Sequence, residues 1–167
     1  MKNIIAVFIF IISLSINAQP FPDSETDGKY YEVNGAKLWV VSFGKGEPIF
    51  FIAGGPGGSH YGLRSFDSLS TTNTLVYFDG FGRGKSDTAQ VVPEYSLERD
   101  IEDLEGLREV MGFSKITILG HSYGGVVAQG FAVKYPDHVS LHKPNKPTPY
   151  PLESRSHSCG HSYTVLS

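Results

Sequence analysis

The stretch ILGHSYGGVVAQG, residues 118–130, decides how this chain is read. Within it, Gly120-His121-Ser122-Tyr123-Gly124 has the form Gly-x-Ser-x-Gly. The β-branched run KITIL before it predicts a strand over 116–119, and GGVVAQGFAVKY after it predicts a helix stopped by Pro136. A strand, a sharp turn and a helix form the setting in which a serine is lifted out of the chain as a nucleophile. Such a turn strains the serine's backbone, and glycines at 120 and 124 remove side chains that would collide as the chain doubles back. Ser122 then stands at a helix N-terminus, where free N–H groups and the dipole favour a developing negative charge. Taken alone the pattern is weak; its place between strand and helix makes it specific.

Upstream, YYEVNGAKLWVVSFG (30–44) reads as a hairpin, two alternating segments joined by Asn34-Gly35. PIFFIAGGPGG (48–58) and TLVYFDGFGRG (74–84) are apolar runs breaking into glycine loops, the mark of buried strands. Residues 60–69 are expected to form a helix. SLERDIEDLEGLREVMGF (96–113) is the clearest helix, because Leu97, Ile101, Leu104, Leu107 and Met111 make one apolar face. Ser96 is placed to cap its start and Gly112 to end it. The order strand, helix, strand, helix implies an α/β fold with a mostly parallel sheet and flanking helices.

Composition narrows the classes. The 167 residues suit one domain, and 40% hydrophobic content supplies a core. A net charge of −3 without a Lys/Arg stripe argues against nucleic acid as a partner. Cys159 is the single cysteine, so no internal disulfide forms. Lys2, the apolar run Ile4–Ile16 and Asn17-Ala18-Gln19 match a signal peptide over 1–18, cleaved after Ala18. Residues 19–27 follow as a linker. The expected product is exported, periplasmic or secreted, with no membrane contact after cleavage.

GHSYGG (120–125), AGGPGG (53–58) and DGFGRGKS (79–86) occur together with YPDHV (135–139) after the elbow helix. In combination they resemble the N-terminal half of an α/β-hydrolase, most closely the proline iminopeptidase type, over about residues 28–140. The resemblance implies Ser122 as nucleophile and the backbone N–H groups of Gly55 and Tyr123 as the oxyanion hole. Ala53 departs from the family's histidine in the His-Gly-Gly-Pro-Gly loop; since the hole uses main-chain donors, this loosens the loop rather than removing the chemistry. Residues 79–86 read as a structural loop. The implied function is a serine hydrolase, an aminopeptidase cleaving an N-terminal residue from a small peptide by acyl transfer. An esterase acting on a small ester is the alternative, because residues of the family's cap that would read a peptide amino terminus are absent.

The family places its triad acid and histidine after later strands, beyond a cap, and neither is found here. Asp137 and His138 sit at the far end of the elbow helix, and the His121 side chain is expected to turn away from Ser122. From 141 to 167 the sequence loses its pattern: Pro144, Pro147, Pro149 and Pro151 cluster, and the segment reads as a disordered tail unlike the family. An abrupt change near Ser140 is what a frameshift would produce. Cap and last strands are therefore expected to be missing, the elbow strand to be an open edge, and the chain to be inactive as it stands, a non-catalytic fragment. Nothing orders His142, His157 or His161 toward Ser122, and His157-Ser158-Cys159-Gly160-His161 is assigned no metal. No cofactor is expected, since no phosphate-binding Gly-x-x-x-x-Gly-Lys-Ser/Thr occurs.

Overall fold

The structure, a computed structural model, describes residues 28–88, 95–140 and 163–166. The 1–18 segment, the 19–27 linker and residues 141–162, with His142, His157, Cys159 and His161, lie outside the described residues.

The chain opens with the expected hairpin. Strands β1 (Lys29–Val33) and β2 (Ala36–Gly44) pair antiparallel, with Val33 opposite Ala36. Asn34 (φ 48°) and Gly35 (φ 77°) both take the left-handed conformation that a two-residue turn of matching twist requires. Strands β3 (Glu47–Ile52) and β4 (Asn73–Phe78) follow, then α1 (Leu97–Val110), β5 (Thr117–His121) and α2 (Tyr123–Lys134). Residues 60–69, expected as a helix, lie in a 3-10 segment, His60–Thr71.

The six strands form one sheet in the order β1-β2-β4-β3-β5-β6, where β6 is Tyr163–Leu166. The sheet is mixed. β4, β3 and β5 run parallel at its centre, and antiparallel pairs flank them on both sides. Alternation along the central strands fills two cores. Phe50, Ile52, Val76 and Ile118 face α1 and α2, meeting Ile101, Leu104, Val127 and Phe131. Phe51, Leu75, Tyr77 and Leu119 face the other way, beneath Leu63 and Phe66 of the 3-10 segment. Burying each of these large side chains stabilises the fold by about 1.5–3 kcal/mol.

Ser96 caps α1 as expected, its Oγ accepting from Arg99 N at 3.0 Å, and Gly112 (φ 78°) follows the helix end. α2 packs closely on α1 because Gly130 leaves room: a Cβ there would stand 2.5 Å from Ile101 Cδ1.

The edge of β5 corrects the expected open edge. Ile116 bridges Val139 in parallel, with Ser140 N donating to Ile116 O at 2.9 Å. Beyond that bridge β6 takes over, antiparallel, from Leu166 opposite Ile118 to Tyr163 opposite His121. The expectation of patternless coil fails at 163–166, where a short alternating strand satisfies the exposed β5 backbone groups and lays Leu166 on the helix-side core.

Candidate active site

Ser122 occupies the turn between β5 and α2 with φ 51° and ψ −115°. No other non-glycine residue except Asn34 has positive φ among the described residues. An L-residue there carries about 1–3 kcal/mol of strain, which only the surrounding packing maintains. The surroundings are tight. A Cβ on Gly120 would lie 2.2 Å from Gly124 O, and one on Gly124 would lie 2.3 Å from Ile52 O. Both glycines are therefore required for the chain to reverse against β3. Ser122 is exposed, its carbonyl accepts from Gly125 N at 2.8 Å, and its side chain caps nothing.

The two expected oxyanion donors flank this serine in the fold. Tyr123 is the first residue of α2, so the helix leaves its N–H without an internal acceptor. Gly55 lies in the loop that leaves the parallel neighbour β3, at φ 64°, with open space where a side chain would project. The loop's internal hold is weak, a single Gly58 N to Gly55 O bond of 3.4 Å. A cavity of about 340 Å³ opens alongside, lined by Ala53, Gly54, Ser59, Leu63, His121 and Tyr163. His121 thus faces this cavity, its ring 4.9 Å from that of Tyr163.

Sequence reasoning missed two charged constellations here. His60 and Asp79 are both fully buried; His60 Nδ1–H donates to Asp79 Oδ1 at 2.8 Å, and Lys85 N donates to Oδ2 at 3.0 Å. Burial pushes the Asp79 carboxyl up, yet the hydrogen bonds from His60 and Lys85 prevail and hold it below the ordinary range. The loop 79–86 wraps this carboxylate, Gly84 passing so near that a Cβ would touch it at 2.0 Å, and Ser86 Oγ–H returns to Asp79 O. Residues 79–86 do build structure around the buried acid.

The second constellation centres on Arg83. Its Nη1 and Nη2 grip Asp100 of α1 at 2.9 and 2.7 Å, and its Nε donates to Pro56 O at 2.7 Å. Tyr123 Oη donates to Asp100 Oδ2 at 2.7 Å. Burial and the bond to Asp100 push the Tyr123 hydroxyl up to about 12. Burial opposes the Arg83 charge, and the Asp100 bond more than restores it.

No acid–histidine couple reaches the serine among the described residues. His138 pairs with Glu105 at 3.0 Å, at the end of α2 away from Ser122. Twelve helical residues separate those ends, about 18 Å. Asp137 is exposed beside it.

Residues 47–140 match the sequence profile of the alpha/beta hydrolase fold. The chain belongs to the alpha/beta hydrolase fold family. Among curated members of related sequence, a proline iminopeptidase from Saccharolobus solfataricus is 41% identical over 101 residues, 59% of this chain and 32% of its own length. A (lyso)-N-acylphosphatidylethanolamine lipase from Bos taurus is 37% identical over 112 residues, 64% of this chain and 33% of its own. This alpha/beta hydrolase chain thus spans about a third of the length of the curated relatives it matches. The epoxide hydrolase VrEH1 from Vigna radiata shares the fold, with a TM-score of 0.64 over 67% of this chain and 35% of that one, at 24% identity.

Proposed function

We propose that this chain carries the nucleophile and the oxyanion hole of a serine hydrolase of the proline iminopeptidase type. The strained backbone of Ser122, held at φ 51° between β5 and α2, supports this reading above any other observation. In the proposed reaction Ser122 Oγ attacks the carbonyl carbon of a peptide's N-terminal residue and its proton leaves to a base. The tetrahedral oxyanion is held by the N–H groups of Gly55 and Tyr123. Collapse breaks the C–N bond, the amine departs with a proton, and water then hydrolyses the acyl-serine. The proline iminopeptidase relative favours an aminoacyl substrate; the lipase relative keeps an ester substrate as the alternative.

A second reading rests on a separate observation: no hydrogen bond holds the Ser122 side chain among the described residues. Without a base, kcat in serine hydrolases falls by about 10⁴–10⁶. The described residues then present an acylatable serine without the base that useful turnover needs. The apolar run Ile4–Ile16 supports export of the chain.

Incubation with excess fluorophosphonate, followed by mass spectrometry of the peptide containing Ser122, tests the nucleophile. One adduct at Ser122, absent in Ser122→Ala, is the expected outcome; no adduct in the folded protein overturns it. Prolyl-arylamide and aryl-ester hydrolysis by the same samples separates peptidase from esterase.

A further inference from the structure

We propose that Arg83 is a positioning residue of this site: it locks the Pro56 end of the Gly54–Gly57 loop to Asp100 and, through Asp100, to Tyr123. The inference rests on the reading of Gly55 and Tyr123 as the two oxyanion donors. Those donors belong to different elements, the loop after β3 and the first turn of α2. Their separation must hold to about 0.5 Å for the hole to work. Neither element fixes it alone, since the loop's own backbone bond is long, at 3.4 Å.

Arg83 supplies the missing link from a third element, the loop after β4. One planar group serves three anchors: Pro56 O at 2.7 Å, Asp100 Oδ1 at 2.9 Å and Asp100 Oδ2 at 2.7 Å. Asp100 then passes the constraint on by accepting from Tyr123 Oη at 2.7 Å, while the guanidinium lies 5.7 Å from the centre of the Tyr123 ring. Both charges are largely withdrawn from water, with side chains 12% and 8% exposed. The bidentate pair neutralises the arginine, so its contribution to the hole is geometric rather than electrostatic. Gly80 is small for the same reason: a Cβ there would stand 2.3 Å from Arg83 Nη1. A lysine keeps the charge, but a single ammonium on a flexible stem cannot reproduce the planar fork that meets Pro56 and both Asp100 oxygens.

The test uses the full chain as wild type, Arg83→Lys, Arg83→Met and Tyr123→Phe, with two readouts. Hydrogen exchange follows the amides of residues 53–59 against those of the β1–β2 hairpin. Fluorophosphonate labelling follows Ser122. In Arg83→Lys, loop exchange is expected to accelerate about tenfold or more while the hairpin stays unchanged. Labelling is expected to slow about tenfold to a hundredfold. Tyr123→Phe loses one O–H and is expected to show the smaller effect.

Loop exchange unchanged in both Arg83 variants overturns the inference. So does a rise shared equally by the hairpin, because Arg83 then supports only the fold as a whole. If wild-type Ser122 takes no label while loop exchange still responds to Arg83→Lys, the nucleophile reading fails and the lock itself stands.

Discussion

Ser122 sets function against stability within one residue. Its φ of 51° and ψ of −115° lie where a Cβ is unwelcome and glycine is at ease. Ser122→Gly is expected to relieve about 1 kcal/mol, net of the glycine's greater unfolded-state entropy, and to raise the melting temperature by about 2–4 °C. Ser122→Ala keeps the Cβ and is expected to leave the midpoint unchanged. Equal midpoints for both variants in calorimetry would mean the turn stores no strain. Asp79 gives a second residue-scale expectation. Its folded pKa is depressed, so its stabilising contribution is full above the unfolded value of about 3.9 and is lost as pH falls through the folded value. Asp79→Asn leaves buried donors from His60 and Lys85 without a carboxylate, at a cost of about 3 kcal/mol at pH 7. Urea unfolding at pH 7 and pH 3 is expected to show that gap narrowing in acid. A gap that stays constant would remove the ionised carboxylate from the explanation.

At the scale of elements, β6 is the decisive piece. It covers Ile118–His121 of β5, places Leu166 on the core, and sets Thr164 against Gly125, where a Cβ would meet Thr164 Oγ1 at 2.6 Å. Thr164→Pro removes the ladder donor opposite Gly120 in a four-residue strand, so β5 regains the exposed edge that invites another chain. Light scattering is expected to show concentration-dependent assembly in this variant and a monodisperse wild type; identical scattering would mean the strand does not protect the edge. The hairpin, α1 and the elbow were legible because each writes a local signal: Asn34-Gly35, the Ser96 cap with its apolar face, and two glycines framing a serine. β6 was not, although Tyr163-Thr164-Val165-Leu166 has strand propensity, because pairing depends on partners far upstream, from Ile118 to His121, and the preceding prolines suggest coil. Arg83 and His60 were illegible for a related reason. Their partners, Asp100 and Asp79, are brought close only by the order of strands in the sheet, and nothing periodic marks such a pair.

At the scale of the whole molecule, everything that positions Ser122 comes from the C-terminal ends of β3, β4 and β5 and the starts of α1 and α2. The proton acceptor is what the described fold does not bring to it. His60 is sealed at 1% exposure with Nδ1 committed to Asp79, His121 faces the neighbouring cavity, and His138 lies at the other end of α2. This arrangement makes a prediction about rate rather than about identity. A serine paired with histidine reacts along a titration curve and levels off above the imidazole's pKa, ordinarily about 6.5. A serine without a base depends on hydroxide, so the Ser122 labelling rate is expected to climb about tenfold per pH unit from pH 6 to 9, with no plateau. Fluorophosphonate kinetics across that range measure the slope directly. A plateau would assign Ser122 a histidine from outside the described residues, with His142, His157 and His161 as the candidates. Replacing those three one at a time would then identify it, since loss of the correct ring converts the plateau back into the hydroxide slope.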